Sequence, residues 1–516
     1  MLVSYHCWTA LYYLGMKKTY TSLLCGRIVT IIASSWFWRI MLGLFVVQAV
    51  YIAFVGRFSM AFDEHFHLAA IQEYAKVIFP WQVTQPPGPA ELSAFTTDGS
   101  YLYHYFMSWP YRLMAMLTDS VTTHIILLRL IDVGLVAVGF VLFRRMLLEL
   151  RMSKVGAHVV LGLILLMPMS PFLAGQLTYD ALFFTMCAIT MLLLFRLVRT
   201  LYASQMVPLP LVLWTGTAAL VTLQVKYAFF PAVLGAGLYI LGLVIWLHRA
   251  NKFSFARMWG AWAVAVRGST GMVALGVFLL CSVLFLQRYG MNYVQYGSLV
   301  PECPVVLGHE RCLGFAPYGR DAGIRDKGWY KTISTKQKLA YPAKWYEKMI
   351  YESYFSVGPK QIGYKVAYPL PAPYVAGKVL AAVSVLVILF RLPWIIRSGV
   401  YAQFSLTVLV TYVAFLCMKN YGAFISTAVP LSIHGRYVLP FLPLAGYLVY
   451  VGLRPFLRRI AMRRAVTVLV GLLLVGCLWG GGMAAYIIRS DDTWYWPSAQ
   501  GISRAVRYVL ELVVIR

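Results

Sequence analysis

Two adjacent carboxylates and two histidines stand in the run Ala61-Phe62-Asp63-Glu64-His65-Phe66-His67, directly after an apolar stretch from Ile40 to Phe58. Carboxylates can take a proton from a hydroxyl or ligate a hard cation, and imidazoles can ligate a softer one. Four further groups carry chemistry of the same kind. Thr178-Tyr179-Asp180 opens an apolar run, and Lys226-Tyr227 separates two more. Tyr101-Leu102-Tyr103-His104-Tyr105 lies in a polar segment, and His434-Gly435-Arg436-Tyr437 precedes a late apolar run. An ionisable side chain at membrane depth costs about 3 kcal/mol or more unless it lines a polar cavity or meets a partner. Asp180, Lys226 and Arg436 come from distant parts of the chain to one membrane boundary. They therefore read as a set: carboxylates beside a phosphate-binding pocket. A divalent metal held by Asp63, His67 and Asp180 is a companion expectation. Each residue also has a plainer role. Asp63 and Glu64 could end a helix in solvent, and Asp180 could be a first-turn acid favoured by the helix dipole. Lys226 could snorkel, and Arg436 could anchor headgroups. The joint location carries the signal.

What positions these residues is a membrane bundle. The 516 residues are 60% hydrophobic and 12% charged, with mean hydropathy +0.71. A soluble domain carries roughly 25% charge. Apolar runs recur at about 40–58, 121–143, 155–173, 179–199, 209–225, 227–247, 268–288, 373–391, 402–418, 437–453 and 465–488. About 20 apolar residues span a bilayer as a helix. The expectation is an all-α polytopic membrane protein of about eleven transmembrane helices. The segment 1–38 reads as cytoplasmic or interfacial, with Met16 an alternative start. A transmembrane domain covers 39–488, and an outer C-terminal segment covers 489–516. The net charge of +27 does not point to nucleic acid. Lys and Arg fall in alternate short loops, which the positive-inside rule puts in the cytoplasm with the N-terminus. The acids agree: Glu149 falls inside, Asp132 falls within a span, and the remaining sixteen of eighteen fall outside. In the first outer loop, 59–120, residues 62–79 and 101–117 mix aromatics with charge, as interfacial helices do. The long outer loop, 289–372, is expected to form a small cap. Within it Cys303 and Cys312 close a short loop on the oxidising side, which predicts a disulfide between them.

With these residues in view, the chain resembles the GT-C superfamily of membrane glycosyltransferases. Those enzymes carry an acidic pair just after the first span, as at Asp63-Glu64. More closely it is similar to a bacterial family of GT-C-like membrane proteins. Shared features are the Tyr-Asp helix start in Gln176-Leu177-Thr178-Tyr179-Asp180-Ala181-Leu182 and the Gly-Arg-Tyr in His434-Gly435-Arg436-Tyr437-Val438-Leu439-Pro440. The resemblance covers roughly 40–455. His65 stands where related enzymes have a proline, and the loop 289–372 holds no recognisable motif. The resemblance implies a GT-C-like bundle in the bacterial cytoplasmic membrane with an outward-facing site. There a hexosyl or pentosyl group would pass from a polyprenyl-phosphate donor to a hydroxyl acceptor on a glycan, lipid or protein, with inversion. Asp63 is the expected general base, with Glu64 the alternative. Asp180 would orient the acceptor or complete the metal site. Lys226 and Arg436 would hold the carrier phosphate, and His104, Tyr179, His434 and Tyr437 would line the substrate. A glycan ligase or polymerase of the outer leaflet, or a lipid or glycan transporter, is the alternative. A ligase would tolerate Asp63→Asn, and a transporter would be expected to show repeats and broken mid-membrane helices.

Overall fold

The computed structural model describes residues 26–60, 63–354, 371–457, 466, 469–473, 475, 482–490 and 492–514. The alternative start at Met16 lies outside them. Among the described residues there is no strand, only an isolated bridge between Gly56 and Tyr495.

The elements follow from long apolar runs opened by hydroxyl caps. Helix α1 is Ser35–Val55, capped by Ser34, whose side chain accepts from the Phe37 N–H. Helices α2 (Glu64–Ala75) and α3 (Leu102–Ala115) occupy the first loop. Helix α4 is Val121–Glu149, capped by Ser120. Then come α5 (Lys154–Leu166), α6 (Met169–Ala174) and α7 (Tyr179–Ser204), the last capped by Thr178. Next are α8 (Leu209–Val225), α9 (Phe230–Arg249), α10 (Phe255–Ala265), α11 (Ser269–Phe285) and α12 (Met291–Tyr296). Helices α13 (Thr335–Tyr354), α14 (Pro371–Phe390), α15 (Val400–Thr427), α16 (Leu442–Leu457), α17 (Gly482–Arg489) and α18 (Gln500–Val514) complete the chain.

Among the described residues, seven helices are long and apolar enough to cross a membrane, which makes this a multi-pass membrane protein. Three more of the expected runs form shorter apolar helices at Lys154–Leu166, Leu209–Val225 and Gly377–Phe390. The last, 465–488, is described only in separate pieces. Two runs differ from their expected form. The run at 155–173 is not one helix: Pro168 lacks a backbone N–H, and the chain breaks there between α5 and α6. The run expected to end at 288 continues through a π turn, Leu286–Gly290, into α12. Arg288 stays in that helix because backbone carbonyls receive it, those of Phe95 and Pro80 at 3.4 Å and that of Thr96.

At one end of the bundle the connections interlock. Helices α2 and α3 do not lie apart on a surface. They pack on each other, with Tyr74, Phe95 and Tyr101 buried between them. The stretch at 86–90 receives the long loop: Arg311 donates to the Pro86 and Gly88 carbonyls, both at 3.2 Å, and accepts from the Ala90 N–H at 2.9 Å. A Cβ on Gly314 would stand 2.7 Å from Pro89, so glycine permits this approach. Cys303 and Cys312 are joined by a disulfide and packed on Ala90 and Ala94. The long loop is therefore tied to the first loop through residues 303–314, while Tyr341, Trp345 and Met349 of α13 pack on Phe424 and Ile433; residues 355–370 lie outside the described set. The C-terminal segment joins the same end. The Arg57 N–H donates to the Trp494 carbonyl at 2.8 Å, and the Trp496 N–H donates to that of Val55 at 3.0 Å.

Candidate functional site

Asp63 and Glu64 are neighbours with opposite surroundings. Glu64 is fully buried at the start of α2. Its carboxylate accepts from Arg129 Nε at 2.7 Å and Nη2 at 2.8 Å, and from the N–H groups of Met60 and Leu177, each at 2.9 Å. Arg129 lies about 12 Å along α4 from its first residue. It also donates to the Ala53 and Gly56 carbonyls at 3.1 and 2.6 Å. One buried ion pair thus ties the end of α1, the turn before α2, and the approach to α7. Glu64 has no lone pair left for a substrate proton. Asp63 is half-buried and left-handed at φ 63°, a conformation Asp tolerates better than most residues, and its side chain does not cap the helix. Of the two acids, Asp63 is the less enclosed.

Three residues beyond Arg129 on the same face of α4, Asp132 is fully buried. It accepts from the Tyr103 hydroxyl at 2.7 Å and the Thr178 N–H at 3.1 Å. Thr178 then caps α7 and sets Asp180 in its first turn. Helix α4 therefore fixes both acid-bearing segments, one through Arg129 and the other through Asp132.

Asp180, Lys226 and Arg436 converge, each at most 5% exposed. Lys226 Nζ bonds one Asp180 oxygen, and Arg436 Nε lies 3.4 Å from the other. The Lys226 ammonium also sits 4.5 Å from the ring centroids of both Tyr179 and Tyr437. His434 packs edge-on to Tyr437 at 5.8 Å. Lys419, eight residues before the end of α15, lies nearby: it donates to the Tyr227 hydroxyl at 2.8 Å. Two cations thus face the Asp180 carboxylate, with Lys419 held nearby on Tyr227.

His67 and His104 lie between Asp63 and this cluster. Nδ1 of His67 is 2.8 Å from Nε2 of His104, and the rings are stacked at 5.2 Å. The His67 ring also meets that of Tyr179 edge-on at 4.8 Å. Burial pushes the His67 imidazole down to about 3, with Asp63 opposing and Arg436, Lys226 and His65 assisting. Burial also holds His104 well below its usual value. Both rings are neutral at ordinary pH. The sign is then fixed: a depressed histidine contributes stability fully above its unfolded value of 6.5 and loses it as pH falls toward the folded value. We predict that acidification below about 6.5 lowers the melting temperature, with a slope of up to about 1.4 kcal/mol per pH unit for each histidine. His67→Gln should flatten that slope in thermal melts across a pH series. A slope equal to wild type would mean that His67 already titrates in the folded protein.

The expected metal set is not assembled. His67 is engaged with His104 and Asp180 with two cations. Among the described residues, no three His, Cys, Asp or Glu side chains come close enough to hold an ion. The sequence reading used neither Arg129 nor Lys419. Arg129 had a visible signal, a cation three residues from Asp132 in an apolar run. Lys419 stands one residue beyond the run expected to end at 418. Neither a family model nor a curated protein matches the chain.

Proposed function

We propose that this is a membrane glycosyltransferase that moves a sugar from a polyprenyl-phosphate donor to a hydroxyl acceptor at the outer face of the membrane. The observation that carries the reading is the Asp180–Lys226–Arg436 cluster, set beside Asp63 through the contacts of His67 and Tyr179. In the reaction, Asp63 takes the acceptor proton as the hydroxyl oxygen bonds to the anomeric carbon. The bond from that carbon to the phosphate oxygen breaks, and its electron pair leaves with the phosphate. The donor phosphodiester carries one negative charge, and the departing lipid phosphate carries up to two. Lys226 and Arg436, with Lys419 nearby on Tyr227, supply positive charge where that negative charge develops. The acceptor is a glycan, lipid or protein hydroxyl.

The test is a comparison of lipid-linked sugars and envelope glycans in cells with and without this chain. We expect the donor to accumulate and one sugar to disappear from one glycan when the chain is lost, with wild type but not Asp63→Asn restoring it. Full restoration by Asp63→Asn would overturn the mechanism and favour a ligase working through basic residues.

A further inference from the structure

The opposite end of the bundle carries a helix with no obvious soluble partner. Helix α10 joins α9 to α11, and none of its eleven residues is buried. Its composition, Phe-Ala-Arg-Met-Trp-Gly-Ala-Trp-Ala-Val-Ala, includes a single charge. Phe255, Trp259 and Val264 are 55%, 71% and 70% exposed. Yet the helix is firmly seated. Ser254 caps it, and Trp262 donates to the Val207 carbonyl at 2.7 Å. Met258, Trp262 and Ala265, at helical spacing, pack on the bundle. A Cβ on Gly271 would lie 2.0 Å from the Ala265 carbonyl oxygen, so α11 turns back tightly against the end of α10. Before α10, His248 contacts the Phe253 carbonyl at 3.3 Å, and the Phe253 and Phe255 rings meet at 4.9 Å.

Charge decides what covers the exposed faces. Between 248 and 268 the chain holds Arg249, Lys252, Arg257 and Arg267, besides His248, and no acid. Two residues on a helix point about 200° apart, so Arg257 and Trp259 project to nearly opposite sides. That is the pattern of a helix lying in a membrane interface, with its aromatic side in the acyl boundary and its basic side among phosphates. We infer that α10 and the basic residues flanking it form a docking site for anionic phospholipid headgroups. The phosphates engage Lys252 and Arg257, and Trp259 enters the acyl boundary beneath them. The site is remote from Asp63 and Asp180 and does not depend on the proposed activity.

The full chain is reconstituted in phosphatidylcholine vesicles with or without phosphatidylglycerol, brominating the acyl chains of one lipid at a time. We expect tryptophan emission to be quenched more by brominated phosphatidylglycerol than by brominated phosphatidylcholine at equal mole fraction. Trp259→Phe should remove much of that difference. Retained phosphatidylglycerol, measured by mass spectrometry, should fall roughly fivefold for each of Lys252→Gln and Arg257→Gln, the usual worth of one basic residue near an anionic surface. Equal quenching by the two lipids overturns the inference, as does unchanged phosphatidylglycerol retention in both variants. Trp259 becoming shielded from lipid as protein density rises would also overturn it, because a second copy would then cover the helix.

Discussion

Asp63→Asn should lower sugar transfer about 100-fold or more while leaving the melting temperature close to wild type; Glu64→Gln should do nearly the reverse. The two residues are adjacent, so the contrast rests on their surroundings. Removing a positioned general base costs about 100- to 10,000-fold. Asp63 is half-buried, and Asn keeps its shape and its tolerance of the left-handed backbone, so amide replacement disturbs little of the fold. Donor binding should persist in Asp63→Asn, with the loss confined to turnover. Glu64, by contrast, accepts four hydrogen bonds, two of them from a fully buried arginine. Breaking one side of a buried pair costs about 3–5 kcal/mol, because the remaining charge is stranded. Glu64→Gln should therefore melt much earlier, and its loss of transfer should follow its loss of folded protein. Replacing both partners, with Glu64→Leu and Arg129→Met, should recover part of the stability, since neither charge is then left alone. Size-exclusion melts in detergent and transfer assays on the folded fraction separate these outcomes. If Asp63→Asn keeps near-wild-type turnover on that fraction, Asp63 is not the base. If Glu64→Gln melts like wild type, the clamp assigned to Arg129 is absent.

The same contrast shows what the sequence could reveal. In a chain this apolar, a charged residue is conspicuous, and its distance from the nearest run end gives its depth. Asp180, Lys226 and Arg436 share one such depth, and in the fold they meet. The acid pair was equally visible, but its division of labour was not. Which of two neighbours faces Arg129 depends on how α2 sits against α4, and no local spacing encodes that. The metal ligands were likewise chosen by residue type alone. His67, Asp63 and Asp180 are plausible ligands by type, but His67 has a nearer imidazole in His104, and Asp180 has two cations. Side-chain competition is settled by packing. The break at Pro168 was legible from residue type alone; averaging hydropathy over 155–173 hid it. Extension of the α11 run to Tyr296 was not legible, because Arg288 looks like the end of a span until the carbonyls of Phe95, Thr96 and Pro80 are seen around it.

The buried cluster makes the second large prediction, and it separates an anion site from a purely structural ion triad. Asp180, Lys226 and Arg436 are almost fully enclosed, with Lys419 close by through Tyr227. Asp180→Asn removes the carboxylate that Lys226 and Arg436 share. The expected loss is about 3–5 kcal/mol, as for any buried pair broken from one side. A phosphate that binds among those cations would restore the missing negative charge. Ligand binding to the folded state raises stability by an amount that grows with its affinity. Polyprenyl monophosphate, the expected product, should therefore raise the melting temperature of Asp180→Asn by more than it raises that of wild type. Lys226→Met should respond least, since one cation and its cage contacts with Tyr179 and Tyr437 are lost. Inorganic phosphate at equal concentration should act weakly on all three proteins, because it lacks the chain that holds the lipid phosphate at membrane depth. If Asp180→Asn is destabilised but polyprenyl monophosphate moves neither it nor wild type, the cluster is an internal ion triad. The carrier phosphate then binds elsewhere. If Asp180→Asn is as stable as wild type, solvent already reaches Lys226 and Arg436, and the enclosed site described here does not form.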